Sequence, residues 1–173
     1  MASPFCLEVS SMQFNHFDAQ GQAIMVDVSS KQPTLRTAVA EALVQLSPEL
    51  AARIAAGGSA KGDVLGVARL AGIAAVKKTP DLIPLSHPLA IHHAAIEFML
   101  DSASGRLQIQ CTVRAFERTG VEMEAMTGAS VAALTVYDMI KGADKSVAIG
   151  GVRLLFKEGG KSGTYRREGV AGW

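Results

Sequence analysis

A hairpin with one polar face is the sequence feature that most limits how this chain can fold. From Leu107 to Ala115 apolar and polar residues alternate strictly, and a shorter alternating run extends from Ile96 to Leu100. Strict alternation is typical of strands that bury one side only. The turn-forming residues 102–105 join the two runs. The pattern predicts an antiparallel sheet with helices on one face, whose other face needs cover or a partner.

Three segments predict helices. Residues 47–49 (Ser-Pro-Glu) supply an N-cap, a proline at the first helical position and an acid in the first turn, and Gly57-Gly58 ends that helix. Residues 61–78 are apolar nearly all round, so they predict a buried helix that Thr79-Pro80 stops. Residues 124–142 predict a long helix.

The order of the elements predicts the fold class. Residues 34–46 fit either a strand or a helix by periodicity, and residues 147–156 predict a strand. With the first segment taken as a strand, the chain has a β-α-β-β-α-β order with an additional helix, which is the ferredoxin-like α+β plan. We expect a mobile arm over residues 1–24, a single ferredoxin-like domain over residues 25–168 and a short tail over residues 169–173.

Charge, hydropathy and cysteine usage exclude several classes of protein. The net charge is +1, which provides no field for nucleic acid or an anionic membrane. The longest apolar runs, residues 64–76 and 125–137, fall short of the roughly 20 residues of a membrane span. Residues 1–14 do not resemble a secretory signal, so we expect a cytoplasmic location. Cys6 and Cys111 indicate neither a disulfide framework nor a zinc site, and Cys111 is expected to be a small buried thiol.

Two of the candidate functional segments precede the hairpin. Lys61 opens the predicted buried helix, where unpaired backbone N–H groups favour an anion, although a simple solvated charge is the more ordinary interpretation of this residue taken alone. His87 lies between Pro84 and Pro88, which fix the backbone around one imidazole. That histidine is either a structural residue or a hydrogen-bond donor and acid/base group. The spacing of His87 to the later histidines does not suit a metal site.

Acidic residues mark both ends of the long predicted helix. Glu122 and Glu124 can serve one pocket only if the helix begins between them or close by. Asp138 and Lys141 are three residues apart and therefore neighbours on one helix face. They form either a structural ion pair or a tuned acid/base couple. Because Leu134 lies one turn earlier, we expect the Asp138 carboxylate to be partly desolvated.

A glycine-rich basic loop follows the last predicted strand. Residues 157–163 (Lys-Glu-Gly-Gly-Lys-Ser-Gly) combine close backbone approach with two lysines, which suits phosphate. The loop is not a Walker A motif, because Leu155 stands where the first glycine is required.

Taken together, these segments resemble the cyclic pyranopterin monophosphate synthase family, the MoaC type. The resemblance covers nearly everything from Met25 to Gly163, in order and spacing. The matching stretches are Met-Val-Asp-Val-Ser at 25–29, Lys-Gly-Asp-Val at 61–64, Leu-Ile-Pro-Leu at 82–85, His-Pro-Leu at 87–89, Thr-Gly-Val-Glu-Met-Glu-Ala at 119–125, Leu-Thr-Val-Tyr-Asp-Met at 134–139 and Gly-Gly-Lys-Ser-Gly at 159–163.

The resemblance implies a lyase that acts on 3′,8-cyclo-7,8-dihydroguanosine triphosphate and releases pyrophosphate, in molybdenum cofactor biosynthesis. It implies a homohexamer, a trimer of dimers with active sites at subunit interfaces. It makes Asp138 and Lys141 the acid/base pair and Lys61 a further catalytic cation, and it lets Arg36 reach the phosphates. The substrate-binding positions that it implies are Leu85, Ser86, His87, Glu122, Met123, Glu124 and Lys157. The implied reaction has no redox step, so no flavin, nicotinamide or iron–sulfur cofactor is expected, and the resemblance assigns no metal-binding residue.

Three positions depart from the family pattern. Ser86 stands where cysteine is common, so a thiol role is lost while a hydroxyl can still form hydrogen bonds. Gly128 replaces the usual alanine and is expected to loosen its helix slightly. Glu158 places an acid in the basic loop, which weakens a simple phosphate role for Lys157.

Two other classes of protein compete with the enzyme. A nucleotide-binding oligomer without activity would not need both Asp138 and Lys141, and an alanine-rich structural oligomer would not account for charges at the ends of apolar helices. A closed oligomer is expected in every case. The alternating Ala38, Ala40, Ala42 and Val44 are expected to pack against a neighbouring subunit.

Overall fold

The computed structural model describes residues 16–57 and 62–169. Its elements in chain order are β1 (Thr34–Gln45), α1 (Pro48–Ala55), α2 (Val64–Val76), α3 (Thr79–Leu82), β2 (Ile91–Asp101), β3 (Arg106–Glu117), α4 (Glu122–Ile140), β4 (Ala148–Glu158) and β5 (Tyr165–Arg166). The predicted α+β class is confirmed. Lys61 lies outside the described residues, as do residues 1–15 of the predicted arm and residues 170–173 of the predicted tail.

The five strands form one antiparallel sheet in the order β2-β3-β1-β4-β5. The first four follow the strand order of the ferredoxin-like plan, with β5 added at the edge. Strand β1 pairs with β3 along its whole length, from Thr34↔Glu117 to Gln45↔Arg106. That pairing settles the ambiguous first segment as a strand, because tertiary pairing overrides a periodicity that fits both structures.

The helices cover one face of the sheet. Helix α4 contacts β1, β3 and β4, and α2 packs beside it and against β2. The apolar side of β1, formed by Ala38, Ala40, Ala42 and Val44, is fully buried in the same core as the small residues of α4. The expectation that this run packs against a neighbouring subunit is therefore wrong, because the chain's own helix covers it.

The opposite face of the sheet carries a buried polar cluster and exposed apolar residues. Glu41 is fully buried, accepting hydrogen bonds at 2.5 Å from Gln108 Nε2 and Arg153 Nε. Leu35, Phe116 and Met99 are exposed on this face. Within the parts of the chain that the structure describes, no helix is long and apolar enough to cross a membrane.

Several boundaries differ from those that the sequence predicts. Thr79-Pro80 starts the single-turn α3 rather than only ending α2, and the Thr79 hydroxyl donates to the carbonyls of Ala75 and Val76. Strand β2 begins at Ile91, five residues before the predicted start at Ile96, and its pairing with β3 shifts register between Ile91 and His93. Strand β4 extends to Glu158, so Lys157 lies on a strand and not in the glycine-rich loop.

The predicted α1 is confirmed, with the Ser47 side chain accepting from the Leu50 amide. The sequence could predict this helix start because an N-cap and a proline at the first position act on the backbone next to them. Cys111 is fully buried as predicted, and burial raises its pKa to about 12.

Gly128 lets helices α2 and α4 approach closely. A Cβ at this position would lie 2.7 Å from Cys111 Sγ and 2.7 Å from Val76 Cγ2. Gly72 on α2 lies at the same contact, since a Cβ added to it would lie 2.9 Å from the Gly128 carbonyl oxygen. The glycine that departs from the family pattern is therefore a packing residue in this chain as well as a weaker helix former.

We expect Gly128→Ala to lower the free energy of unfolding by about 1 to 2 kcal/mol, because overpacking outweighs the gain in helix propensity. Thermal and denaturant unfolding would measure the loss. Adding Cys111→Ala should recover part of it, since that change removes the sulfur that the new methyl group meets, and a double-mutant cycle would give the coupling. An unchanged or raised stability of Gly128→Ala would contradict the packing role.

Candidate active site

Two adjoining basins form a cleft at the N-terminal end of α4. The first, which we term the carboxyl basin, has a volume of about 360 Å³ and is lined by His16, Val26, Lys31, Leu85, Ser86, His87, Leu89, Thr119, Gly120, Glu122, Met123 and Glu124. The second, the cationic basin, has a volume of about 820 Å³ and is lined by Ser30, Lys31, Gln32, Thr34, Arg36, Arg118, Thr119, Gly120, Glu122, Lys157, Gly160, Lys161 and Ser162. They share Lys31 and the start of α4, so they form one continuous site.

Glu124 is the buried acid of the carboxyl basin. Its side chain lies in the first turn of α4 and is only 2% exposed. The pKa of Glu124 is raised to about 7, chiefly by burial and to a smaller extent by the Glu122 carboxylate, while hydrogen bonds from its own backbone N–H and the Ser86 hydroxyl oppose the rise. The Ser86 contact is long, with Oγ 3.5 Å from Oε1. A carboxyl group that is half-protonated near neutrality can both donate and accept a proton.

Glu122 joins the two basins. Helix α4 begins at Glu122 and has both acids in its first turn, which meets the condition for both to serve one pocket. Among the charged residues that line the cationic basin, Glu122 is the acid and all the others are cations.

His87 holds the segment around Val26, which precedes β1, against the carboxyl basin. Its Nε2 lies 2.8 Å from the Val26 carbonyl oxygen. A carbonyl only accepts, so Nε2 carries the proton. Arg118 Nη1 donates to the Ser29 carbonyl at 3.0 Å and holds the same segment from the other side. These two bonds place Lys31 where the basins meet, so His87 has a structural role while it also lines the site.

Five cations line the cationic basin, and they are Lys31, Arg36, Arg118, Lys157 and Lys161. Converging lysine and arginine side chains suit a polyanion such as a triphosphate. Lys157 contacts the Ser162 hydroxyl across the loop. Glu158 is exposed and does not line the basin.

Arg36 is the most fixed of these cations. It is buried, its Nε donates to the Glu117 carbonyl at 3.1 Å, and its Nη2 donates to the Arg118 carbonyl at 3.2 Å. Gly160 lies directly against the guanidinium group, leaving no room for a side chain. The glycine-rich loop therefore acts by closing over Arg36, in addition to supplying Lys161.

Asp138 and Lys141 lie at the opposite end of α4. Lys141 Nζ is 2.6 Å from Asp138 Oδ1, and this hydrogen bond raises the pKa of Lys141. Their side chains are 65% and 51% exposed, and Leu134 is 58% exposed. The expectation that this chain partly desolvates Asp138 is wrong. Fourteen positions of one helix separate Glu124 from Asp138, about 21 Å at ~1.5 Å per residue, so one subunit does not bring them together.

Most of the positions implied by the resemblance lie in the cleft, namely Leu85, Ser86, His87, Glu122, Met123 and Glu124 in the carboxyl basin and Lys157 in the cationic basin. Asp138 and Lys141 do not. Sequence reasoning missed Lys31 and Arg118, although each lies within two residues of a quoted motif, and that proximity was the available signal. Among the described residues, no group of three histidine, cysteine or acidic side chains could hold a metal ion.

The fold and the cleft define a class: a ferredoxin-like α+β protein with a polyanion-binding basin beside a carboxyl group suited to proton transfer. Residues 25–160 match the sequence profile of the MoaC family. The chain belongs to the MoaC family.

Several relatives of the chain share one name. The chain is 74% identical over 157 residues to a cyclic pyranopterin monophosphate synthase of Pelobacter propionicus, an alignment that covers 91% of this chain and 98% of the relative. It is 72% identical, with the same coverage, to the protein of that name from Geobacter sulfurreducens. It is 54% identical over 150 residues to that of a Roseiflexus species, covering 87% of this chain and 95% of the relative.

We expect Glu124 to make stability depend on pH. Its folded pKa lies above its ordinary value of 4.5, so the unfolded chain loses the proton first as pH rises. Stability therefore falls between pH 4.5 and about 7, by about 3 kcal/mol in total, and levels off above. Glu124→Gln cannot ionise and should lack this fall. Denaturant unfolding of both proteins across this range tests the assignment, and parallel pH profiles would contradict it.

Proposed function

We propose that this chain converts (8S)-3′,8-cyclo-7,8-dihydroguanosine 5′-triphosphate to cyclic pyranopterin monophosphate with release of pyrophosphate, as a lyase early in molybdenum cofactor biosynthesis. The observation that carries the proposal is the buried Glu124 carboxyl group, with a pKa of about 7, beside a basin of five cations. The names of the relatives support the same reaction. We further propose a cytoplasmic location.

The cationic basin takes the triphosphate. Forming the cyclic phosphate requires a sugar hydroxyl to attack the α-phosphorus while pyrophosphate leaves. Negative charge grows on the leaving group in that step, and lysine and arginine side chains fixed around it stabilise the charge. Arg36 is held by two backbone carbonyls, so its guanidinium is oriented before the substrate arrives.

The carboxyl basin takes the purine-derived part of the substrate. Opening the purine ring and reclosing it as a pyranopterin requires protons to be removed and delivered at several atoms. Glu124 has a pKa that allows both, with Glu122 as its charged neighbour. Leu85, Ser86, His87 and Met123 form the wall against which the ring system lies.

Asp138 and Lys141 complete the site from a second subunit. Asp138 lies about 21 Å from Glu124 along α4 and Lys141 lies farther still, too far to contact the same substrate atoms within one chain. Leu134 beside them is an exposed apolar side chain, which contact with another copy would cover. The proposed assembly is a homohexamer, a trimer of dimers with active sites at subunit interfaces, and Lys61 is proposed as its third catalytic group.

Incubating the protein with the cyclised nucleotide, followed by detection of pterin and pyrophosphate, tests the reaction. We expect turnover without added cofactor. Binding of the nucleotide without product would identify a non-catalytic nucleotide-binding oligomer instead.

We expect Asp138→Asn to keep its fold, because the exposed ion pair contributes little to stability. The variant should bind the nucleotide but lose nearly all turnover. Thermal midpoint, nucleotide affinity and pterin formation are measured on one sample. Near-normal activity with a lowered midpoint would assign the pair a structural role.

Mixing two inactive variants tests the shared site. We expect Asp138→Asn and Glu124→Gln subunits, unfolded and refolded together, to regain about a quarter of wild-type activity, since about one site in four then combines two intact halves. The matched control is Glu122→Gln mixed with Glu124→Gln, whose lesions share one half-site and should regain little. No recovery in the first mixture, with mixed oligomers confirmed by mass spectrometry, would contradict a site shared between subunits.

A further inference from the structure

Gly120 lies where the two basins meet, directly under the Glu122 carboxylate. A Cβ placed on Gly120 would lie 2.5 Å from Glu122 Cδ and would overlap Oε2. The Glu122 side chain therefore folds back over the backbone that precedes α4 instead of extending outward. Only a residue without a side chain leaves that space.

The requirement for glycine at this position is not conformational. The glycines of the loops, such as Gly159 and Gly160, have positive φ angles, but Gly120 does not. Alanine can therefore adopt the Gly120 backbone without strain. The atoms that its methyl group would meet belong to the far end of a flexible side chain, so the carboxylate would move and the backbone would stay.

The position of the Glu122 carboxylate matters because it faces both basins. It is the acid among the five cations of one basin, and it is a charged neighbour of Glu124 in the other. The other titratable side chains that line the carboxyl basin are His16, Lys31 and His87. Moving the Glu122 charge away would leave Glu124 facing Lys31 with less opposing negative charge.

We propose that Gly120 is a positioning residue, which acts by leaving room for the Glu122 carboxylate to lie between the two basins, next to Glu124. The proposal rests on the proposed function for its place in the reaction. The geometry that it describes belongs to the free protein, so it can be tested without turnover.

The test is a carbon-13 NMR titration of the glutamate carboxyl groups in the full-length assembled protein, with the Glu124 signal assigned by its loss in Glu124→Gln. We expect Gly120→Ala and Glu122→Gln each to lower the pKa of Glu124, by about 0.5 unit or more. The matched control is Gly150→Ala on β4, where an added Cβ meets nothing within 4 Å and φ is not positive. It should leave the titration unchanged.

Each outcome of the titration supports or overturns the proposal. If Glu122→Gln lowers the pKa of Glu124 and Gly120→Ala does not, Gly120 has no positioning role. If neither variant lowers it, Glu122 does not influence Glu124. Loss of the fold in Gly120→Ala would also overturn the proposal, since only a side chain should move.

Where the wild type shows turnover, the pH profile of kcat/KM in Gly120→Ala should shift in the acid direction with the NMR titration, while Gly150→Ala keeps the wild-type profile. A wild type without turnover but with the expected NMR shifts would reject the proposed function and leave the role of Gly120 standing. Wild-type turnover with unshifted NMR titrations would support the proposed function and reject the role of Gly120.

Discussion

The packing of α4 across the alanine side of β1 is the constraint on which the rest of the structure depends. Small side chains on both elements let the helix axis lie close to the sheet, and Gly72 and Gly128 let α2 and α4 approach each other closely. This packing fixes the direction of α4 and with it the position of each end. The N-terminal end enters the cleft with Glu122 and Glu124, and the C-terminal end carries Asp138 and Lys141 to the surface.

The same packing creates the chemistry of the cleft. A carboxyl group in the first turn of a helix would normally be a solvated, ionised group, but Glu124 is buried, with the residue 85–87 segment lining the same basin. Glu122, one position past the N-cap, stays at the mouth where five cations balance it. Two acids two residues apart thus occupy different environments, which is a common way to obtain one proton donor and one fixed charge.

The sequence predicted the elements whose signals are local, and it named several residues that the structure brings together in one cleft. Alternation identified β3, and the Ser-Pro-Glu start identified α1, because these patterns depend only on residues that are close together in the sequence. Strand β1 stayed ambiguous, because only its pairing with β3 and β4 distinguishes it from a helix. Lys31 and Arg118 were missed, because the hydrogen bonds of His87 and Arg118 to a distant segment bring them to the cleft. The desolvation of Asp138 was inferred from one apolar neighbour, but helix position alone does not show whether that face is covered.

We propose that the cleft at the start of α4 is completed by the far end of α4 from another subunit. An experimental structure of the assembled protein with the cyclised nucleotide bound tests it most directly. The account predicts that Glu124 of one subunit and Asp138 of its neighbour both contact one bound nucleotide, with the triphosphate against Arg36 and Lys157. An assembly in which Asp138 and Lys141 face solvent, or in which the nucleotide lies outside the two basins, would contradict it.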